Sequence, residues 1–287
     1  MKIRNGVIAL SLVAAPGMGN HAVPAPIAPQ TVEIVGLDYA FQVPTKIAAG
    51  RTTFHFVNKG TVSHELNISL LKRGATVQQF MSAVNADTPT GAYREAPVGV
   101  LFADKGKRAS VGLTTDLLPG RTYVIICINQ DSTKAKKHFS MGMFSAINVP
   151  PTASPPPPPL AHVDTIVGSE YAFQYARTVA PGRHYFAFRN AGKVRHEFDM
   201  FLLKKGVTLE QVAKVEKEGG DVDALIEESI GVLHSPAGTS PLGLLDVDLK
   251  PGRDYTIVCS FSNDAKSPPH FALGMVGSIH VTGAAAK

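Results

Sequence analysis

The sequence predicts an all-β protein built as two tandem β-sandwiches, each interrupted by a short helical insertion. Three observations carry that expectation: alternating apolar patterns bounded by turn residues, a gapless internal repeat, and a proline run between its two copies. The 287 residues suffice for two ordinary domains, and 44% hydrophobic against 18% charged residues describes a chain able to bury a core.

The repeat sets the domain plan. "YAFQ" at 39 recurs at 171, "LLK" at 70 recurs at 202, "GVL" at 99 recurs at 231 and "PGR" at 119 recurs at 251, all at an offset of 132 residues. A period this long marks a duplicated domain rather than a solenoid unit. The copies run from 31 to 150 and from 163 to 283, and a proline-rich linker, 151 to 162, joins them. Its "PPPPP" at 155 to 159 forms an extended spacer, because proline fixes φ and donates no hydrogen bond. The copies are therefore expected to behave as separate units.

Taken in order, residues 1 to 28 join Lys2 and Arg4 to an apolar run from Gly6 to Ala15, followed by small residues and prolines. This is the layout of a secretory signal peptide, although no A-x-A site marks the cleavage point, and it makes the chain periplasmic or secreted. The run is too short to span a bilayer and no later stretch approaches ~20 apolar residues, so no transmembrane anchor is expected after signal removal. Within the first copy, "RTTFHFV" places Phe54 and Phe56 on one strand face, "HELNISL" does the same for His64, Leu66, Ile68 and Leu70, and "TYVIIC" for Tyr123, Ile125 and Cys127. Asn58-Lys59-Gly60 and Pro119-Gly120 punctuate these strands, as Asn190-Ala191-Gly192 and Pro251-Gly252 do in the second copy. The helical insertion starts at Thr76 or Thr208, where a glutamine three residues on, Gln79 or Gln211, completes a capping box.

Comparing the copies also sorts the chemistry-bearing residues. Of ten histidines only four recur in register: His64 with His196, and His138 with His270. The two cysteines, Cys127 and Cys259, match each other, and among seven methionines only Met143 and Met275 do. From first histidine to cysteine the separation is 63 residues in both copies, from cysteine to second histidine 11, and from there to methionine 5. Two imidazoles and a thiolate near a plane, with a weak thioether on the axis, suit copper that cycles between oxidation states. Zinc fits less well, because methionine is not among its usual ligands. A Cys127–Cys259 disulfide would have to join equivalent inward strand positions of two different domains, against the roughly 7 Å limit between α-carbons.

At these residues a family resemblance becomes specific. "PGRTYVIIC" and "PGRDYTIVC", each followed by a histidine and then "GM", resemble the last-strand signature of the cupredoxin family, whose members carry type 1 (blue) copper between Greek-key sheets. The resemblance covers both repeats. It implies cupredoxin-like Greek-key sandwiches and two copper ions per chain, one held by His64, Cys127, His138 and Met143, the other by His196, Cys259, His270 and Met275. It also implies one-electron transfer or copper carriage, and a loop histidine that reaches the surface through an apolar patch formed here by Phe139 and Met141, or Phe271 and Leu273.

Partner expectations follow from charge. The net charge of +5 falls to about +3 without Lys2 and Arg4, and no dense basic stripe interleaved with aromatics appears, so nucleic-acid binding is not expected. Lys134, Lys136 and Lys137 precede His138, whereas Ser267, Pro268 and Pro269 precede His270, which favours an anionic redox protein as partner of the first copy. Two other readings compete. One is a metal-free cupredoxin-like binding module of the cell envelope. The other is a copper enzyme related to two-domain nitrite reductases, which is disfavoured because Cys127 lies between Ile126 and Ile128, and Cys259 between Val258 and Ser260, not beside histidines that would feed a second metal. No catalytic residue is expected.

Overall fold

The computed structural model describes residues 29–283 other than 133, 219 and 265; the expected signal peptide lies outside the described residues. The first half carries β1 (Gln30–Leu37), β2 (Ala40–Gln42), β3 (Gly50–Asn58), β4 (His64–Leu71), α1 (Val77–Asn85), β5 (Arg94–Ala103), β6 (Gly112–Leu117), β7 (Thr122–Ile126) and β8 (Phe144–Asn148). The second carries β9 (Val163–Ser169), β10 (Ala172–Gln174), β11 (Thr178–Val179), β12 (Gly182–Asn190), β13 (His196–Leu203), α2 (Leu209–Lys217), β14 (Ile226–Ser235), β15 (Leu244–Leu249), β16 (Asp254–Val258) and β17 (Val276–Val281). Each half is a two-sheet β-sandwich: β6-β3-β1-β2 face β5-β4-β7-β8, and β15-β12-β9-β10 face β14-β13-β16-β17-β11.

Alternation places the core as expected. Phe54, Phe56, Leu66, Ile68, Leu70, Tyr123, Ile125 and Cys127 are all buried, while their neighbours turn to the other face of each sheet. Each large apolar side chain buried in this way contributes about 1.5–3 kcal/mol. The capping boxes form in both halves: Thr76 and Gln79 exchange side-chain to backbone hydrogen bonds, and so do Thr208 and Gln211. In the first half α1 docks on the outer face of its sheet, where Phe80 and Met81 pack with Leu71, Val124, Ile126 and Phe139. The equivalent residues of α2 are the smaller Val212 and Ala213, and a cleft of about 740 Å³ opens there, lined in part by Phe201, Leu209, Val258 and Phe271.

The expectation of separate units does not hold. Both sheets run through the junction, giving one of eight strands and one of nine, and a single apolar cluster spans the two halves. The pairing is self-complementary: Leu245 of β15 lies opposite Leu113 of β6, and Val232 of β14 opposite Val100 of β5, each pair joining equivalent positions of the repeat. The two copies therefore meet about a local two-fold axis, as identical subunits do in a dimer. The proline-rich segment is not a free spacer either. It lies along the first half, where Arg51 Nη1 donates to the Pro158 carbonyl at 3.0 Å.

Close approach at the axis depends on two equivalent glycines. A β-carbon on Gly99 would sit 2.7 Å from Leu113 Cδ1, and one on Gly231 would sit 2.8 Å from the Val100 carbonyl oxygen across the junction. Overpacking of this kind costs roughly 1–3 kcal/mol per site. Gly99→Ala combined with Gly231→Ala should lower the thermal midpoint by several degrees and split one unfolding transition into two, read by calorimetry. A single transition at the wild-type midpoint would contradict a shared core.

Candidate metal centres

Local structure brings the predicted donors together. His64 opens β4 and Cys127 follows the last residue of β7. His138 starts a single 3₁₀ turn, His138–Met141, and Met143 immediately precedes β8. The β7–β8 loop is folded back by backbone hydrogen bonds: Cys127 N–H donates to Met143 O at 3.1 Å, Phe139 N–H to Cys127 O at 2.9 Å, and Met143 N–H to His138 O at 3.0 Å. The second half repeats these bonds among Cys259, His270, Phe271 and Met275 within 0.1 Å.

The first histidine is set by the turn before it. Asn58 Nδ2 donates to Val62 O at 2.7 Å and to Ala103 O at 2.9 Å, while its Oδ1 accepts from Gly60 N–H at 2.8 Å. This asparagine turn presses its glycine onto the imidazole: a β-carbon on Gly60 would lie 2.8 Å from His64 Nε2, and one on Gly192 would lie 2.9 Å from His196 Nε2. Only a residue without a side chain fits at either place.

Within the first site the ligand atoms converge. His64 Nδ1 and His138 Nδ1 are 3.0 Å apart, and Cys127 Sγ lies 3.9 and 3.4 Å from them. In the second site the corresponding separations are 3.1, 3.9 and 3.4 Å. Metal–ligand bonds of about 2.0–2.3 Å place donors about 3–4 Å apart around one centre. Met143 and Met275 are fully buried, the methyl of the first against Gly36 and that of the second against Gly168. Both cysteines are free thiols, each beside the histidines of its own half, so the disulfide alternative is absent.

The electrostatics of the pocket favour a cation. Burial pushes the Cys127 and Cys259 thiols up to about 12, so without a metal each keeps its proton. Burial, and then the neighbouring imidazole, hold His64 and His196 below the usual histidine range, and burial does the same for His270. In each site two Nδ1 atoms face each other at 3.0–3.1 Å beside a thiol that carries its proton. A cation at the centre would satisfy all three donors and displace that proton. The thiolate it creates already has one donor waiting, Glu65 N–H at 3.4 Å from Cys127 Sγ, matched by Glu197 N–H at 3.3 Å from Cys259 Sγ. The Glu65 side chain is itself buried, which raises its carboxyl to about 7, and its Oε1 accepts from Ile128 N–H at 3.2 Å. The residues fit a soft, redox-active metal such as copper better than a hard one, because sulfur and imidazole supply every close donor.

The expected route from the loop histidine to the surface is not present. His138 is 1% exposed and His270 0%. His138 Nε2 instead meets Asp131 Oδ1 at 2.9 Å, and Asp131 Oδ2 accepts from the Tyr39 hydroxyl at 2.7 Å. Tyr39 stands edge-on to the His138 ring with centroids 5.0 Å apart, as Tyr171 does to His270 at 4.9 Å. Phe139 turns inward beneath α1, leaving Met141, Ile128 and Phe144 as the exposed apolar residues near the first site; Leu273 and Val276 are their counterparts near the second. Both tyrosines have left-handed backbone, φ 61° and 59°, an unusual state for a bulky residue. The strain persists because ring and hydroxyl are both engaged at the site. Asp131, Asn263 and the tyrosines are not among the expected site residues. The recurrence of the tyrosine within "YAFQ" is the one signal of them in the sequence.

No protein-family model matches the chain, and no curated protein matches its sequence. Among solved structures, dithionite-reduced auracyanin from Roseiflexus castenholzii is 22% identical over 42% of this chain and 98% of its own, with a TM-score of 0.31. Auracyanin A from Chloroflexus aurantiacus, described as a blue copper protein, is 23% identical over 42% of this chain and 99% of its own, with a TM-score of 0.29. The copper nitrite reductase from Nitrosomonas europaea is 13% identical over 90% of this chain and 94% of its own, with a TM-score of 0.26.

Proposed function

We propose that the protein is an exported copper-binding protein with two type 1-like sites, serving one-electron transfer or copper carriage outside the cytoplasm. The observation that carries this reading is the double convergence: the same two imidazoles and thiol gather within 4.8 Å of one another in both halves. Copper bound there would supply a one-electron couple. The protein's part is to hold the donors in place before the ion arrives, exclude water from them, and release one thiol proton per site.

Export rests on the basic and apolar N-terminus, and no helix among the described residues is long and apolar enough to cross a membrane. A carrier is favoured over an enzyme because every potential donor at the two centres comes from a buried, closed set, which suits electron exchange better than substrate access. Lys134, Lys136 and Lys137 are exposed beside the first site, which supports docking of an anionic redox protein there.

Titrating purified protein with copper(II) should give two ions per chain and intense visible absorption from thiolate charge transfer. Cys127→Ser should halve both readings, since the second set of donors remains complete. Metal analysis at background level in the wild type would end the copper reading and leave the metal-free binding module. Replacing the three lysines by glutamine should slow electron exchange with an acidic redox protein at low salt, the difference fading as the Debye length shortens to ~8 Å at physiological ionic strength. Equal stopped-flow rates for variant and wild type across the salt series would reject electrostatic steering.

A further inference from the structure

The two sites match in every close donor but not in what stands behind the loop histidine. In the first, His138 Nε2 meets the Asp131 carboxylate at 2.9 Å, and Tyr39 donates to the other carboxylate oxygen at 2.7 Å. In the second, the equivalent residue is Asn263: its Oδ1 lies 3.1 Å from His270 Nε2, and its amide nitrogen donates to the Tyr171 hydroxyl at 3.1 Å. The tyrosine hydrogen bond thus reverses direction, and an anion is exchanged for a neutral amide.

Neighbouring charges add to this difference. The residue before the first histidine is Ser63 in one half and Arg195 in the other. Arg195 Cζ lies 4.7 Å from the centroid of the Phe261 ring, and that ring stands 5.7 Å from His270, where the first half has the polar Asn129. Asp38 and Glu170 near the first histidines are both acidic and cancel, as do the buried Glu65 and Glu197. Lys136 and Lys137, replaced by Pro268 and Pro269, act in the opposite sense, as does Asp264, which replaces Ser132 beside Asn263. All three are exposed, and solvent and salt screen them; Asp131 is also 32% exposed at its side chain, but it bonds directly to a ligand ring at 2.9 Å.

Building on the copper reading above, we propose that Asp131 and Asn263 make the two centres electronically unequal, so that an electron added to the fully oxidised protein resides at the second site. Asp131 acts as a positioning residue: it orients His138 and makes the imidazole a stronger donor, which favours the more positive, oxidised ion. Asn263 orients His270 equally well without the charge, and Arg195 disfavours further positive charge nearby.

The test is a spectroelectrochemical titration of the copper-loaded full chain. Two one-electron steps are expected, separated by at least tenfold in the ratio of oxidised to reduced forms, about 59 mV for a one-electron couple. The Cys259→Ser variant should keep only the lower step and Cys127→Ser only the upper one. Asp131→Asn should move the lower step up toward the other, and Asn263→Asp should move the upper step down, both with copper content still at two per chain. A purely structural role would change copper content or stability without moving the potentials in these opposite senses. Coincident midpoints in the two single-site variants, or a reversed order, would overturn the proposal while leaving the copper reading intact. Absence of copper uptake by the wild type would overturn both.

Discussion

The backbone of the β7–β8 loop is the constraint on which the rest of this structure depends. A cysteine at the end of a strand and a histidine 11 residues later reach the same point only because Cys127 bonds through its N–H to Met143 and through its carbonyl to Phe139. Those bonds turn the chain back on itself and bring the loop imidazole within 3.4 Å of the thiol. The opposing histidine needs a separate device, the asparagine turn that fixes the start of β4. With both devices in place, two imidazole nitrogens and a sulfur share one small buried space.

Duplication has used this unit twice, and the two copies differ around a constant set of donors. Where equivalent strands meet about the local two-fold axis, equivalent residues face one another; away from it the copies have diverged. One helix is packed tightly by Phe80 and Met81, while the other, with Val212 and Ala213, stands over an open cleft. The same divergence extends to the loops, where Asp131 stands opposite Asn263 in the repeat and Ser63 opposite Arg195. The donors themselves stayed fixed through these changes.

Much of this is legible in the sequence for a physical reason. A half-buried strand writes its facing into every second residue, so the spacing alone assigns Phe54, Phe56, Leu66, Ile68 and Tyr123 to the inner side, where all five are buried. The repeat does the same for the donor set, because four residue types in register twice are hard to reconcile with ordinary core packing. The junction is not legible. A proline run reads as a spacer, whereas pairing across β5–β14 and β6–β15 depends on long-range register and on two glycines that carry no periodic signal. The cover over the loop histidine escapes a search for identity between the copies, because Asp131 and Asn263 differ. The position of Phe139 directly after the loop histidine points to the surface, but the 3₁₀ turn rotates it under α1.

If two imidazoles and one thiolate of each half share a copper ion, the ion's neighbours identify them. X-ray absorption at the copper edge on the loaded protein tests this sharing most directly. An average of two nitrogen neighbours and one sulfur neighbour per ion is expected, at bond lengths of about 2.0–2.3 Å. A spectrum with no sulfur at bonding distance would contradict it.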